Sequence, residues 1–490
     1  MSDRLRARDL AILAAEDDGG PGHQATLEVF DPSDSGLDYD ALTRLISDRL
    51  AFVPRYRQRI VEVPGRIGTP RWIDDESFDL GFHVRRSALP RPGNEEQLRE
   101  LVGRIISRPL DRSRPLWEVY FIEGLEGGRV AMLGKSHHVL VDGVHTVDLG
   151  QVLLDTGRNP GPEESETWRP DASPSAAGLV WGVLRDAVES PLTVIDTATA
   201  NAESVLRTVQ HTAAKVGSLA GVLTSGGSAD RSPINRALSR QRRFSTVTTD
   251  LADYRKVRAA HGGTVNDVVL ATIAGGLRSW LTARSEAMGG VKQLRALVPM
   301  SVIDEELEAT SLGSQLTGHL VDLPISEPSA VVRLHQVSYS FKAHGEARRT
   351  VAANRLAGIA GFAPATFHAL GARLLAAERS QSFHLGVTNV PGPQFGLYAV
   401  GARMLQSYPV PSLLPGHALA VGVTSYDGRV CYGLTADRDA LPDLDLLATC
   451  IGEALEELVD SAGPGRQRAP RGRKRPPSSA QRRRTSAEEV

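Results

Sequence analysis

Apolar residues recur at helical spacing in residues 94–108, where Leu98, Leu101, Val102, Ile105 and Ile106 share one stripe. Asn94 is placed to cap this helix and Pro109 to stop it. The same period returns in Leu206, Val209, Ala213, Val216, Ala220 and Leu223, and again across Asn266–Leu281 through Leu270, Ile273, Leu277 and Leu281. Other stretches read as strands. Arg129–Leu133 is a buried strand, and Leu419–Tyr426 and Arg429–Leu434 are β-rich runs joined at Asp427-Gly428, a pair suited to a tight hairpin. Asp142-Gly143 turns the chain into an apolar helical run through Val144, Val147 and Leu154. A Pro/Ser/Glu-rich interval from Asn159 to Ser175, and Ser225-Gly226-Gly227-Ser228 before Pro233, interrupt the pattern. Helices and strands therefore mix in both halves, which predicts an α/β chain; without a short-period repeat, a solenoid or propeller is disfavoured.

Length divides this pattern into units. At 490 residues the chain exceeds one typical domain, and 41% apolar content supports sizeable cores. The expected organisation is an N-terminal unit over 1–158, a partly helical linker over 159–235, a C-terminal unit over 236–462 and a tail over 463–490. Cys431 and Cys450 are the only cysteines, which supplies neither a disulfide framework nor a zinc framework and suits a reducing compartment. The charged start Met1–Asp9 lacks the apolar run of an export signal, and no segment approaches the ~18 consecutive apolar residues of a membrane span. A cytoplasmic protein is expected, with membrane contact limited to the surface.

The net charge of −2 hides an asymmetry. The tail holds nine basic and two acidic side chains, leaving −9 for the rest. Its Gly, Pro, Ser and Arg composition reads as disordered; a solubilising role stands level with attraction to anionic lipid or nucleic acid. The stripe over 206–223 favours packing against a neighbouring unit over lying on lipid, with Trp181 as an interfacial anchor in the second case.

Chemistry enters with His137-His138-Val139-Leu140-Val141-Asp142-Gly143 at the end of the first strand. Adjacent side chains of an extended segment face opposite sides, so only one histidine can enter a given cleft. A neutral imidazole can take a hydroxyl proton while the oxygen attacks an acyl carbonyl, and that role is given to His138. Asp142 would fix the loop and Gly143 permit its turn. Two plainer alternatives stand beside this: strand histidines that only satisfy backbone hydrogen bonds, and a metal held with Asp142 or His145. The metal is disfavoured because the rings diverge and no second His/Cys cluster lies near in sequence.

Further segments resemble the bacterial wax ester synthase/diacylglycerol acyltransferase family over roughly residues 5–460. Pro115-Leu116-Trp117 within Pro109–Glu118 is similar to its Pro-Leu-Trp block, and Asn266-Asp267 within Thr264–Ala271 to its Asn-Asp block. Thr388–Pro393 and Ser425–Gly428 extend the likeness. The histidine frame alone specifies only the larger superfamily of chloramphenicol-acetyltransferase-like enzymes and condensation domains. The resemblance implies an α/β fold of two chloramphenicol-acetyltransferase-like subdomains, with mixed sheets flanked by helices and an active-site tunnel at their interface. It also implies transfer of a long-chain acyl group from acyl-coenzyme A, a co-substrate, to diacylglycerol or a fatty alcohol, with no cofactor, metal or acyl-enzyme.

By position in the matched blocks, Asn266 is a candidate oxyanion donor, with helix capping as its alternative. Pro115, Leu116, Trp117 and Asp267 are assigned to substrate binding, with core packing equally open for the first three. One departure falls at Ser314, where the family more often has asparagine. The inner membrane or a lipid droplet is the expected surface of contact, and no nucleic acid is expected. Two rivals share the scaffold: an acyltransferase using a carrier-protein or complex-lipid thioester, and a non-catalytic lipid-surface binding protein.

Overall fold

The computed structural model describes residues 4–16, 22–66, 68–140, 149–158, 168–172, 174–178, 181, 185, 232–284, 293–301, 316–343, 368 and 383–463. The expected helix over 206–223, Asp142, Gly143, His145, Ser314 and residues 464–490 of the tail lie outside these. The N-terminal half runs through α1 (Ala7–Glu16), β1 (His23–Asp31), α2 (Tyr39–Arg49), β2 (Gln58–Val61), β3 (Arg71–Asp74), α3 (Leu80–His83), β4 (Val84–Ala88), α4 (Glu95–Ile106), β5 (Trp117–Glu123), β6 (Val130–His137) and α5 (Leu149–Leu153). The C-terminal half begins with β7 (Arg242–Asp250), α6 (Leu251–His261), α7 (Val265–Ala283), β8 (Leu294–Ser301), β9 (Leu316–Leu323) and α8 (Ala330–Ala343). It continues through β10 (Leu385–Pro391), β11 (Tyr398–Ala399), β12 (Ala402–Val410), β13 (Leu419–Tyr426), β14 (Arg429–Asp437) and α9 (Leu444–Ser461).

Two mixed six-stranded sheets result, ordered β11-β12-β1-β6-β5-β4 and β7-β14-β13-β10-β8-β9, beside a small β2-β3 pair. The expected α/β architecture of two sheet-based units is present. The division along the chain is not the division between sheets: β11 and β12 come from the C-terminal half yet complete the first sheet, with β12 antiparallel to β1 from Ala25↔Val410 to Asp31↔Arg403.

Local chemistry explains the elements. Asn94 caps α4 by accepting from the Gln97 N–H, and Gln97 reaches back to the Asn94 N–H in a reciprocal box. The stripe of Leu98, Val102, Ile105 and Ile106 is buried against Ala25, Leu27, Val29, Ala131 and Leu133 of the first sheet, joined by Phe244 and Cys431 from the second. Full burial of such side chains contributes about 1.5–3 kcal/mol each, so this shared core holds the two sheets together. The β13–β14 hairpin turns at Asp427 and Gly428 with φ of 45° and 79°, the left-handed geometry that its two-residue loop requires. On the second sheet, Leu270, Ile273 and Leu277 of α7 and Leu447, Ile451 and Leu455 of α9 pack with Leu385, Val387, Val421 and Val423 in one core.

β6 extends beyond the expected Arg129–Leu133 strand, reaching His137. Gly134, Lys135 and Ser136 interrupt the apolar run in sequence, but pairing with β1 on one side and β5 on the other continues through them. Lys135 tolerates burial because its Nζ donates to the Arg108 carbonyl at 2.5 Å and the Ile105 carbonyl at 3.5 Å, and lies 3.5 Å from Glu118. It thereby places a cation at the carboxyl end of α4.

Candidate active site

β6 lies inside the first sheet and delivers both histidines to one end of it. The His137 N–H donates to the Leu116 carbonyl at 3.0 Å and the His138 N–H to the Gly22 carbonyl at 2.9 Å, so neighbouring strands still hold the backbone where the side chains diverge. The two rings lie 6.4 Å apart and are tilted by 59°. His137, 1% exposed, accepts from the Val139 N–H through Nδ1 at 3.2 Å, and its Nε2 lies 3.4 Å from Glu16. A ring that accepts at Nδ1 carries its proton on Nε2. His138, 3% exposed, has Nε2 2.8 Å from the hydroxyl oxygen of Ser412, just beyond β12. The two histidines thus meet different partners, His137 from α1 and His138 from the C-terminal half.

Pro115, Leu116 and Trp117 are buried. The Leu116 carbonyl takes the His137 N–H, which places this block directly beside the histidine strand. Trp117 stacks on His83 at 4.6 Å, meets Tyr56 edge-on at 5.7 Å and donates its indole N–H to the Tyr56 carbonyl at 2.7 Å. Trp117 also borders a cleft with Tyr56, Glu118, Val119, Met132, Lys135 and Leu153. A second cleft shares Thr26, Glu28 and Gly150 with it and continues to Leu397, Met404 and Tyr426, along the seam where β12 joins the first sheet. Ser412 borders a third, with Gly386, Thr388 and His417.

The Asn-Asp block takes a different place. Thr264, not Asn266, caps α7: its hydroxyl accepts from the Asp267 N–H at 3.1 Å, and the Asp267 carboxylate accepts from the Thr264 N–H at 2.9 Å. Asp267, assigned to substrate binding from sequence, is buried, and the same carboxylate oxygen also accepts from the Ser338 hydroxyl. This geometry commits it to starting the helix. The Asn266 side-chain oxygen accepts from the Asn389 amide at 2.9 Å. Asn389 alternates in register with Leu385 and Val387, which face the helices, whereas Gly386 and Thr388 border the cavity at Ser412. Among the described residues no hydrogen bond joins Asn266 to His138.

Burial tunes the surrounding groups. Burial first, then the nearby Lys135 ammonium, holds His23 well below the ordinary histidine value, and its Nε2 lies 3.0 Å from the Ile106 carbonyl. His368, 2.9 Å from the Thr388 hydroxyl, is pushed down to about 3 by burial. Burial would raise Glu16, but contacts with His137, Arg112 and the Gly22 N–H outweigh it and hold the carboxyl well below the usual carboxylate range. Sequence reasoning missed both Glu16 and Ser412. A serine 274 positions from its histidine has no local signal, and Glu16 shows only as the polar end of a short amphipathic run.

Comparison with known proteins bears on this geometry. Residues 5–269 match the wax ester synthase/diacylglycerol acyltransferase catalytic domain, and residues 312–459 match the C-terminal domain of the same family. A probable diacylglycerol O-acyltransferase of Mycobacterium tuberculosis, tgs1, is 33% identical over 86% of this chain and 88% of its own; another, tgs3, is 39% identical over 53% of this chain and 97% of its own. Among solved structures, the wax ester synthase/diacylglycerol acyltransferase from Marinobacter aquaeolei VT8 superposes with a TM-score of 0.64 at 28% identity, covering 94% of this chain and 99% of that one. The first condensation domain of the CDA synthetase, at 15% identity and a TM-score of 0.52 over 94% and 97% of the two chains, shares the fold. These matches span both sheet-based halves: the chain belongs to the wax ester synthase/diacylglycerol acyltransferase family, and it is an O-acyltransferase.

Proposed function

We propose that this acyltransferase moves a long-chain acyl group from acyl-coenzyme A to the hydroxyl of diacylglycerol or a long-chain alcohol, with His138 as general base. The observation that carries the reading is the 2.8 Å contact between His138 Nε2 and the Ser412 hydroxyl at the edge of a cavity. An imidazole nitrogen that already holds one hydroxyl oxygen can hold another in the same place. As the acceptor oxygen attacks the thioester carbonyl, its proton passes to His138 Nε2. The tetrahedral intermediate collapses with cleavage of the carbon–sulfur bond, and the proton goes to the leaving coenzyme A thiolate. Acyl ester and thiol are the products, and the scheme uses neither acyl-enzyme nor cofactor.

The clefts along Trp117 and along Leu397, Met404 and Tyr426 mix apolar side chains with Glu28, and their apolar stretches are the proposed seat of the long chain. The Asn389 amide holds the Asn266 oxygen and ties the start of α7 to β10, a bond that does not engage the Asn266 amide nitrogen, the atom an oxyanion donor would use. Among the described residues no helix is long and apolar enough to cross a membrane; a peripheral contact with a membrane or lipid droplet is part of the proposal.

Coenzyme A release by wild type and His138→Ala, with oleoyl-coenzyme A and either diacylglycerol or hexadecanol, tests the reading. The variant is expected to lose about 10²–10⁴-fold in turnover, the usual contribution of a positioned base. A folded His138→Ala protein with wild-type turnover would sink the base assignment. A strong preference for an acyl-carrier donor in the same assay would replace the acyl-coenzyme A donor.

A further inference from the structure

α1 ends at Glu16, and the chain returns at Gly22 to begin β1, so Glu16 lies behind the end of the histidine strand. Its carboxylate, 8% exposed, is engaged on every side. Oε1 accepts from the Gly22 N–H at 2.7 Å. Oε2 accepts from Arg112 through Nε at 3.0 Å and Nη2 at 2.5 Å, and lies 3.4 Å from His137 Nε2, the nitrogen that carries the proton. Gly22 is held at both ends, since its N–H goes to Glu16 while its carbonyl takes the N–H of His138. One carboxylate therefore meets the ring of the first histidine and, through the single residue Gly22, the backbone of the second.

The space is filled closely. A β-carbon on Gly22 would stand 2.6 Å from His137 Nε2 and 3.0 Å from Glu16 Cγ, inside contact distance of both partners. Only glycine lets the carboxylate, the peptide and the imidazole converge there. Arg112 supplies the balancing charge, and the remaining attractions keep Glu16 ionised although it is buried.

We propose that Glu16 is a positioning residue for acyl transfer: it orients His137 and the Gly22 peptide, which together set the placement of His138. The inference rests on the assignment of His138 as base. Sub-ångström misplacement of such a base lowers the chemical step without altering the channels that bind the two substrates. Glu16 acts through the first histidine and the Gly22 backbone.

The test is a double-mutant cycle on the full chain, using Glu16→Gln, His138→Ala and the combined variant, read by coenzyme A release with oleoyl-coenzyme A and diacylglycerol. Glu16→Gln keeps the size of the side chain and an acceptor for Gly22 but removes the charge facing Arg112 and His137. Its kcat is expected to fall about 10- to 100-fold, the cost of losing a partner that orients a reacting group, with both KM values within about twofold. In the His138→Ala background the same substitution should change the residual rate less than about twofold, because its effect passes through the base. Gly22→Ala, which pushes the same ring from the other side, should give the same pattern.

Equal losses in the two backgrounds would make Glu16 a residue of general stability and overturn the proposal, as would wild-type kcat for folded Glu16→Gln. Undiminished turnover in His138→Ala would instead remove the base assignment, so the two failures are separable. If Glu16→Gln does not fold, Gly22→Ala in both backgrounds decides: equal losses there overturn the proposal, and a loss confined to the chain with His138 supports it.

Discussion

Lys135→Met tests how a charge is carried inside the histidine strand. The Lys135 side chain is 0% exposed, and its ammonium faces Glu118 and the carbonyls of Ile105 and Arg108. Burial outweighs the attraction of Glu118 and pushes its pKa from 10.5 down to about 8. That difference corresponds to about 3 kcal/mol disfavouring the charged form in the folded protein. Below pH 8 both folded and unfolded chains bind the proton and the penalty is fully present. Between pH 8 and 10.5 the unfolded chain binds more protons than the folded one, so stability rises with pH, by about 1.3 kcal/mol between pH 7 and 9.

Methionine fills similar volume, removes the titration and leaves Glu118 with Arg85 at 3.0 Å and the Tyr120 hydroxyl at 2.9 Å. It also strips a donor from two carbonyls, at about 1 kcal/mol each. At pH 7 the gains and losses should therefore nearly cancel. Urea unfolding followed by tryptophan fluorescence, at pH 7 and pH 9, reads the difference between variant and wild type. Titration of the buried Cys431 thiol, pushed up to about 11 by burial, acts in the opposite direction but is common to both proteins and drops out. The variant should fall behind wild type by about 1.3 kcal/mol more at pH 9 than at pH 7. An equal gap at the two pH values would refute the depressed Lys135 pKa and the reasoning built on it.

Ser412→Ala removes the hydroxyl that contacts His138 Nε2 and that the acceptor would displace in the proposed mechanism. A hydrogen bond worth about 1 kcal/mol predicts a fall of up to about fivefold in acceptor KM with kcat unchanged; a tenfold loss of kcat in steady-state assays would give Ser412 a part in the chemistry instead. Asn266→Ala and Asn389→Ala each break the same side-chain contact. Either should cost about 1 kcal/mol of stability and the double variant little more; additive losses in thermal unfolding would show that the two amides act separately.

Features set by neighbours in sequence were legible. α4 has its stripe, cap and stop between Asn94 and Pro109, and the Asp427-Gly428 pair dictates its own hairpin. The cap of α7 was also written locally, as Thr264 with Asp267 three residues on, although the adjacent Asn266 drew the assignment. β6 was cut short because Lys135 and Ser136 are polar, and only the carboxyl end of α4 explains why a lysine is tolerated there. Glu16 and Ser412 were invisible for a different reason. Their positions against His137 and His138 depend on how α1 folds back and where β12 ends, and neither is encoded by spacing.

The insertion of β12 beside β1 bears on the order in which the molecule can be built. During synthesis the first 397 residues contain β1, β6, β5 and β4 but not the strand that covers the free side of β1. Until Ala402–Val410 arrives, β1 is an edge that lacks Tyr408 opposite Leu27 and Val410 opposite Ala25, and its backbone groups invite pairing with another chain. The N-terminal half is thus an unfinished sheet rather than an autonomous folding unit. Expressed without its C-terminal partner, it would carry its histidine pair on an open template for aggregation, while the intact chain closes that edge with its own later sequence.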